Sequence, residues 1–209
     1  MDKFANMSIN DFDAALASSA PAPGGGGAAA LAGALAAALG SMVCNLTAGK
    51  KSYAQYEEDN QKALQHLEAA RKHLLTLIDE DARAFAPLQK YLSLPKDDPE
   101  RKAHMDAALR VACYVPTDVL YTCEDVAGLL APLSEHGLRG AVSDVGVGLE
   151  LCRAAMRAAR MNILINASIM PDEVFAMTLR RECELVLGRC EPVIDAALER
   201  VEARLGLAK

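Results

Sequence analysis

A chain of 209 residues is long enough to bury one substantial core and short for two. Hydrophobic residues make up 52% but aromatics only 4%, with no Trp, so Ala, Leu, Val, Ile and Met must fill the interior; that favours packed helices over a β-sandwich or barrel. With 22 Lys and Arg against 28 Asp and Glu, the net charge of -6 excludes the broad cationic footprint of a nucleic-acid binder.

The first predicted helix covers about 8–18, with Ser8 as N-cap, Asp11 completing an imperfect capping box, and Ile9, Phe12 and Leu16 on one face. Pro21, Pro23 and the run Gly24, Gly25, Gly26 and Gly27 keep 18–27 out of helix and feed an Ala-rich helix over about 28–48. No charged residue occurs from Ala14 to Gly49. The prolines and glycines interrupt that run, and Ala-rich faces let helices approach closely, so a soluble helix buried on all sides is expected rather than a membrane span. A long helix over about 54–92 carries two seven-residue series: Leu64, Arg71, Ile78, Phe85 and Leu92, and Leu67, Leu74, Asp81 and Leu88. After a turn at 94–100, Pro99 suits the start of a helix over about 99–114, which Pro116 is expected to interrupt. The pattern resumes with Val119, Leu120, Cys123, Val126 and Leu130 before a loop over 132–140, and a final pair spans about 142–168 and 172–206. No alternating strand-length run, repeat or linker appears, so a single all-α helical bundle over 1–209 is predicted.

Six cysteines (Cys44, Cys113, Cys123, Cys152, Cys183 and Cys190) form no C-x-x-C pair, and the opening residues carry no secretory pattern. Reduced thiols and a cytoplasmic location are therefore expected. The four His form no H-E-x-x-H and none lies at ligand spacing to a Cys, so no metal is expected.

Asp81 is the first candidate for chemistry, because its phase sets it between Leu74 and Leu88 in an apolar seam. A carboxylate there either pairs with a cation such as Arg83, or its pKa rises toward the range useful for proton transfer. The glycine run before a helix either offers free N–H groups and a positive dipole end to an anion or simply turns the chain sharply. It is no Walker loop, since Gly49-Lys50-Lys51 lacks the following hydroxyl residue and Cys44 holds the earlier Gly position. Lys50 and Lys51 either meet an anionic substrate group or face the dipole of the helix they follow. Ser143 and Asp144 open a helix that Asp144 is placed to cap, and Asn162 and Asn166 share one face farther along it. In a continuous helix Asp144 and Asn162 stand roughly 27 Å apart, too far to hold one small molecule from one copy.

Six segments in order, Leu16-Ala-Ser-Ser-Ala-Pro-Ala-Pro-Gly-Gly-Gly26, Gly40-Ser-Met-Val-Cys-Asn-Leu-Thr-Ala-Gly-Lys-Lys51, Asp79-Glu-Asp-Ala-Arg-Ala-Phe85, Val115-Pro116, Ser143-Asp-Val-Gly-Val147 and Asn162-Ile-Leu-Ile-Asn166, resemble the formimidoyltetrahydrofolate cyclodeaminase family over nearly the whole chain. The resemblance implies an all-helical homodimer acting on one-carbon adducts of tetrahydrofolate, with Asp81, the second Asp of D-x-D-A-x-A-F, as the catalytic general acid/base. It implies no resident cofactor beyond the folate substrate, which is expected to be polyglutamylated; the charge and the interrupted apolar run give the expectation of no nucleic-acid or membrane partner. Two activities occur within it: cyclodeaminases close 5-formimidoyltetrahydrofolate and release ammonia, and methenyltetrahydrofolate cyclohydrolases add water to the methenyl bridge. Gly27, where many cyclodeaminases have Ser, and the lack of a transferase segment point to the cyclohydrolase, with the small residue at 27 expected to leave space for water. Ser143 and Asp144, with Asn162 or Asn166, are expected to orient the pterin or the water, and Lys50 and Lys51, with the Gly24, Gly25 and Gly26 amides, to face the glutamate tail. The competing class is a non-catalytic helical dimer in which Asp81 is a buried pairing residue.

Overall fold

The computed structural model describes residues 4–207, which form six α-helices and no strand. They are α1 (Ile9–Leu16), α2 (Gly25–Thr47), α3 (Glu57–Leu92), α4 (Pro99–His136), α5 (Val142–Ser168) and α6 (Glu173–Leu205). Short 3₁₀ turns at Phe4–Asn6, Lys51–Tyr56 and Arg139–Ala141 join or precede them. From α2 onward the chain runs up and down. α3, α4 and α6 form one layer with α4 central, and α2 and α5 lie antiparallel across it. Leu67, Leu74 and Ile78 of α3, Leu130 of α4 and Leu149 and Met156 of α5 are fully buried at their meeting.

The uncharged α2 owes its composition to this position. A Cβ on Gly33 would lie 2.6 Å from Cys123 Sγ, and one on Gly40 would lie 2.9 Å from Leu67 Cδ1. Small residues are what let α3 and α4 close on α2. Burial on all sides is not what the helix achieves, however. Leu35, Met42 and Leu46 are exposed along one stripe, beside exposed Val147, Met161 and Ile165 of α5, so the second layer has an apolar outer face.

Three expected elements need correction. Ser8 caps α1 as expected, accepting from the Asp11 N–H at 3.1 Å, but only Phe12 of the expected face turns inward and Ile9 is 88% exposed. α2 begins at Gly25, so the glycines form its first turn instead of preceding it; Gly24 is the N-cap, and the helix starts as soon as Pro23 is passed. α4 runs unbroken through Pro116 and Pro132 as far as His136. Proline cannot supply the N–H that the carbonyl four residues earlier would accept. At Pro116 that carbonyl belongs to Ala112, and Asn166 Nδ2 donates to it at 3.2 Å, so a side chain of α5 offsets the loss.

Candidate active site

Asp81 sits about three turns before the C-terminal end of α3, against the first turn of α2. The Gly27 N–H, one of the donors that a helix start leaves free, donates to Asp81 Oδ2 at 3.0 Å. Burial pushes the Asp81 carboxyl above the usual carboxylate range, and the Gly27 N–H works in the other direction without cancelling the effect. Arg83 is not its partner: it faces Glu80 at 3.7 Å, and Asp81 forms no ion pair among the described residues. Here the desolvated carboxylate is not neutralised by a cation, an environment that raises its affinity for a proton and suits a group that exchanges protons.

The glycines have a steric reason. A Cβ on Gly26 would stand 2.0 Å from Asp81 Oδ1 and 2.4 Å from its Cγ, so the carboxylate occupies the space a side chain would take. A Cβ on Gly25 would lie 3.4 Å from Asn162 Oδ1. The first turn of α2 is thereby drawn onto both polar groups, and a cleft of about 190 Å³ opens beside it. Asp81, Asn162, Asn166, Gly24, Gly25 and Gly26 line it, with Phe85 and Ile165 as apolar walls. Each amide is held by the backbone: Asn162 Nδ2 donates to the Ala158 carbonyl at 3.0 Å and Asn166 Nδ2 to that of Ala112. The arrangement presents a proton-exchanging carboxylate, two positioned amides and an aromatic wall to a planar, partly apolar molecule.

The remaining expected residues are elsewhere. Lys50 and Lys51 follow the far end of α2, about 34 Å from its start by helical rise. Ser143 and Asp144 lie in the first turn of α5, at that same far end. The N-cap of α5 is Ala141, so Asp144 is not the cap; it contributes its charge to the positive end of the helix. Within one chain neither pair reaches Asp81. Gly27 also differs from expectation: a Cβ there would point at Ile78 Cγ2 (3.6 Å) and Pro23 Cβ (3.8 Å), and Gly27 does not line the cleft. The space expected for water at position 27 is therefore not part of the site.

Sequence reasoning missed the Ala112 carbonyl and took Phe85 for core. Pro116, four residues past Ala112, was the available signal for the first. Among the described residues no basic side chain lines the cleft. Among the described residues no three His, Cys, Asp or Glu side chains gather closely enough to hold a metal ion.

Fold and cleft together are those of an all-helical enzyme. The chain belongs to the formiminotransferase-cyclodeaminase family, whose profile matches residues 8–185. It is 38% identical to the methenyltetrahydrofolate cyclohydrolase of Methylorubrum extorquens, over 96% of this chain and 98% of that one. It is 33% identical to the formimidoyltransferase-cyclodeaminase of Sus scrofa over 90% of its own length, but spans only 35% of that protein. The crystal structure of formiminotetrahydrofolate cyclodeaminase from Thermotoga maritima superposes with a TM-score of 0.81 at 31% identity, covering 96% of each chain.

Proposed function

We propose that this chain is a methenyltetrahydrofolate cyclohydrolase, converting 5,10-methenyltetrahydrofolate to 10-formyltetrahydrofolate. The observation that carries the reading is Asp81: a desolvated carboxylate, fixed by the Gly27 N–H, at the edge of a cleft that also holds Asn162 and Asn166. The methenyl bridge is a cation flanked by two nitrogens, and a carboxylate beside it stabilises the charge while holding water. Asp81 takes a proton from the attacking water as the oxygen bonds to the bridge carbon. It returns that proton to the ring nitrogen as the carbon–nitrogen bond breaks, and the remaining hydroxyl proton leaves to solvent as the formyl carbonyl forms. Phe85 supports the pterin face, and the amides orient its edge or the water.

The cyclodeaminase reading is favoured by the family profile and the Thermotoga maritima structure. The near end-to-end match at 38% identity supports the cyclohydrolase first. One preparation assayed on both substrates decides: kcat/KM is expected to be at least about tenfold higher for methenyl hydrolysis than for deamination of the formimidoyl compound. The opposite ratio would reverse the choice and leave Asp81 in its role.

The proposal includes a cytoplasmic homodimer with no resident cofactor. Six buried, unbridged thiols support a reducing setting. The exposed stripe of Leu35, Met42 and Leu46 beside Val147, Met161 and Ile165 supports a second copy as its cover, in place of lipid or solvent. Leu35→Glu is expected to raise the dimer Kd by at least about 100-fold, read by light scattering, because it leaves two like charges in an apolar contact. A mutant that stays dimeric would place the interface elsewhere.

A further inference from the structure

At the opposite end of the bundle from Asp81, on the surface away from the α2/α5 face, α3 and α4 enclose a second cleft of about 260 Å³. Tyr56, Asn60 and His66 line one side, with Asp59 and Lys62, and Gly128, Pro132 and His136 the other. Asn60 and Asp81 are separated along α3 by about 31 Å of helical rise, so the folate reaction proposed above uses none of these groups.

Several features of this cleft suit a flat ligand that carries hydrogen-bond donors. The Tyr56 and His136 rings stack with centroids 3.9 Å apart and planes within 9°, forming an aromatic platform. Asn60 is only 5% exposed; its Nδ2 donates to the Cys44 carbonyl at 2.9 Å, while its Oδ1 has no hydrogen-bond partner among the described residues. An orphaned acceptor at that depth is costly and is normally satisfied. Pro132 supplies no N–H, so the Gly128 carbonyl loses its helical partner on the wall of the same cleft. Unlike the Ala112 carbonyl freed by Pro116, it is met by no side chain among the described residues. Gly128 itself is unfavourable inside a helix, and a Cβ on it would meet nothing within 4 Å, so no packing contact requires glycine there. What a side chain would do is fill the trough, which continues past Gly128 and Leu129 toward His73 and Thr122.

We propose that this cleft is a second ligand site for an amino-substituted heteroaromatic ring. The ring stacks on the Tyr56–His136 platform, and its N–H groups donate to Asn60 Oδ1 and the Gly128 carbonyl. Both unpartnered groups are acceptors, so the site selects a donor-bearing ring, while the Lys62 ammonium on its wall is engaged by Glu58 at 2.6 Å. A purine nucleoside and the pteridine end of a folate share this chemistry.

The test uses the intact protein with two probes: adenosine, followed by calorimetry, and pterin, followed by its own fluorescence. Gly128→Leu places an isobutyl group in the trough at an exposed position where a Cβ meets nothing within 4 Å, and Asp81→Asn marks the other cleft. At least one probe is expected to bind wild type and Asp81→Asn alike and to bind Gly128→Leu at least about tenfold more weakly, with helical circular dichroism and methenyl hydrolysis unchanged in the leucine variant. Adenosine binding alone assigns a purine ligand, and pterin binding alone a second pteridine site. Should Gly128→Leu lose its helical signal, His136→Leu removes one ring of the platform and must produce the same loss. No binding of either probe at millimolar adenosine or saturating pterin, no probe whose binding weakens in Gly128→Leu or His136→Leu, or weakening found only in Asp81→Asn, would each overturn the proposal.

Discussion

Replacing Asp81 with Asn is expected to lower kcat/KM for methenyl hydrolysis by about 100- to 10,000-fold, the usual contribution of a positioned acid/base group. The amide has the same shape and can still accept the Gly27 N–H, so no cavity and no unpaired donor results. It cannot take a proton from water. The effect on stability runs opposite to the effect on activity. The folded chain binds the Asp81 proton more tightly than the unfolded chain, because burial raises its pKa. The stability this group contributes is thus complete below the unfolded pKa and is lost as pH rises through the folded one. At neutral pH the desolvated charge is a liability, and Asp81→Asn is expected to unfold at the same or a higher temperature than wild type. The acid limb of the wild-type rate profile should lie above the ordinary carboxylate range and vanish in the mutant. A fall in Tm accompanying the loss of activity would instead make Asp81 a structural pairing residue, as in a non-catalytic helical dimer.

Asp81 was legible in the sequence because a seven-residue series is a statement about one face of a helix, and a carboxylate in such a series must meet the interior. The spacing of Asn162 and Asn166 was legible for the same reason: four residues put both amides on one side of α5. The course of α4 was not, because the cost of a proline inside a helix is local while its relief is tertiary. Only the fold shows that Asn166 of α5 meets the carbonyl Pro116 sets free. The start of α2 was misplaced for a related reason. Glycine has poor helix propensity, yet the first turn of α2 keeps Gly25 and Gly26 because Asn162 and Asp81 occupy the space beside them. Lys50, Lys51, Ser143 and Asp144 carried charge or polarity without a distance. Helix length, about 1.5 Å per residue, is what separates them from Asp81 in one chain.

Gly26→Ala is expected to reduce kcat/KM by at least about 100-fold although the substitution adds a single methyl group, since small displacements of a catalytic group have losses of this size. That methyl would lie 2.0 Å from Asp81 Oδ1 and 2.7 Å from Oδ2, closer than any contact permits. Either the carboxylate swings away or the first turn of α2 lifts, and both movements break the Gly27 N–H bond that fixes Oδ2. Overpacking of this kind costs about 1–3 kcal/mol, and each kcal/mol lowers Tm by about 2–4 °C in a chain of this size. Gly27→Ala is the control. Its nearest contacts, Ile78 Cγ2 at 3.6 Å and the Ile78 carbonyl at 3.7 Å, are ordinary van der Waals distances, so its activity should stay close to wild type. Gly27→Ser should likewise leave the ratio of hydrolysis to deamination unchanged, because position 27 does not face the cleft. Measuring kcat/KM of the three variants on both substrates, with Tm on the same samples, separates the positions. A folded Gly26→Ala protein with wild-type turnover would mean that the carboxylate geometry at Asp81 is not what the reaction depends on. A Gly27→Ser protein that gained deaminase activity would mean that residue 27 acts on the cleft through a shift of the α2 first turn.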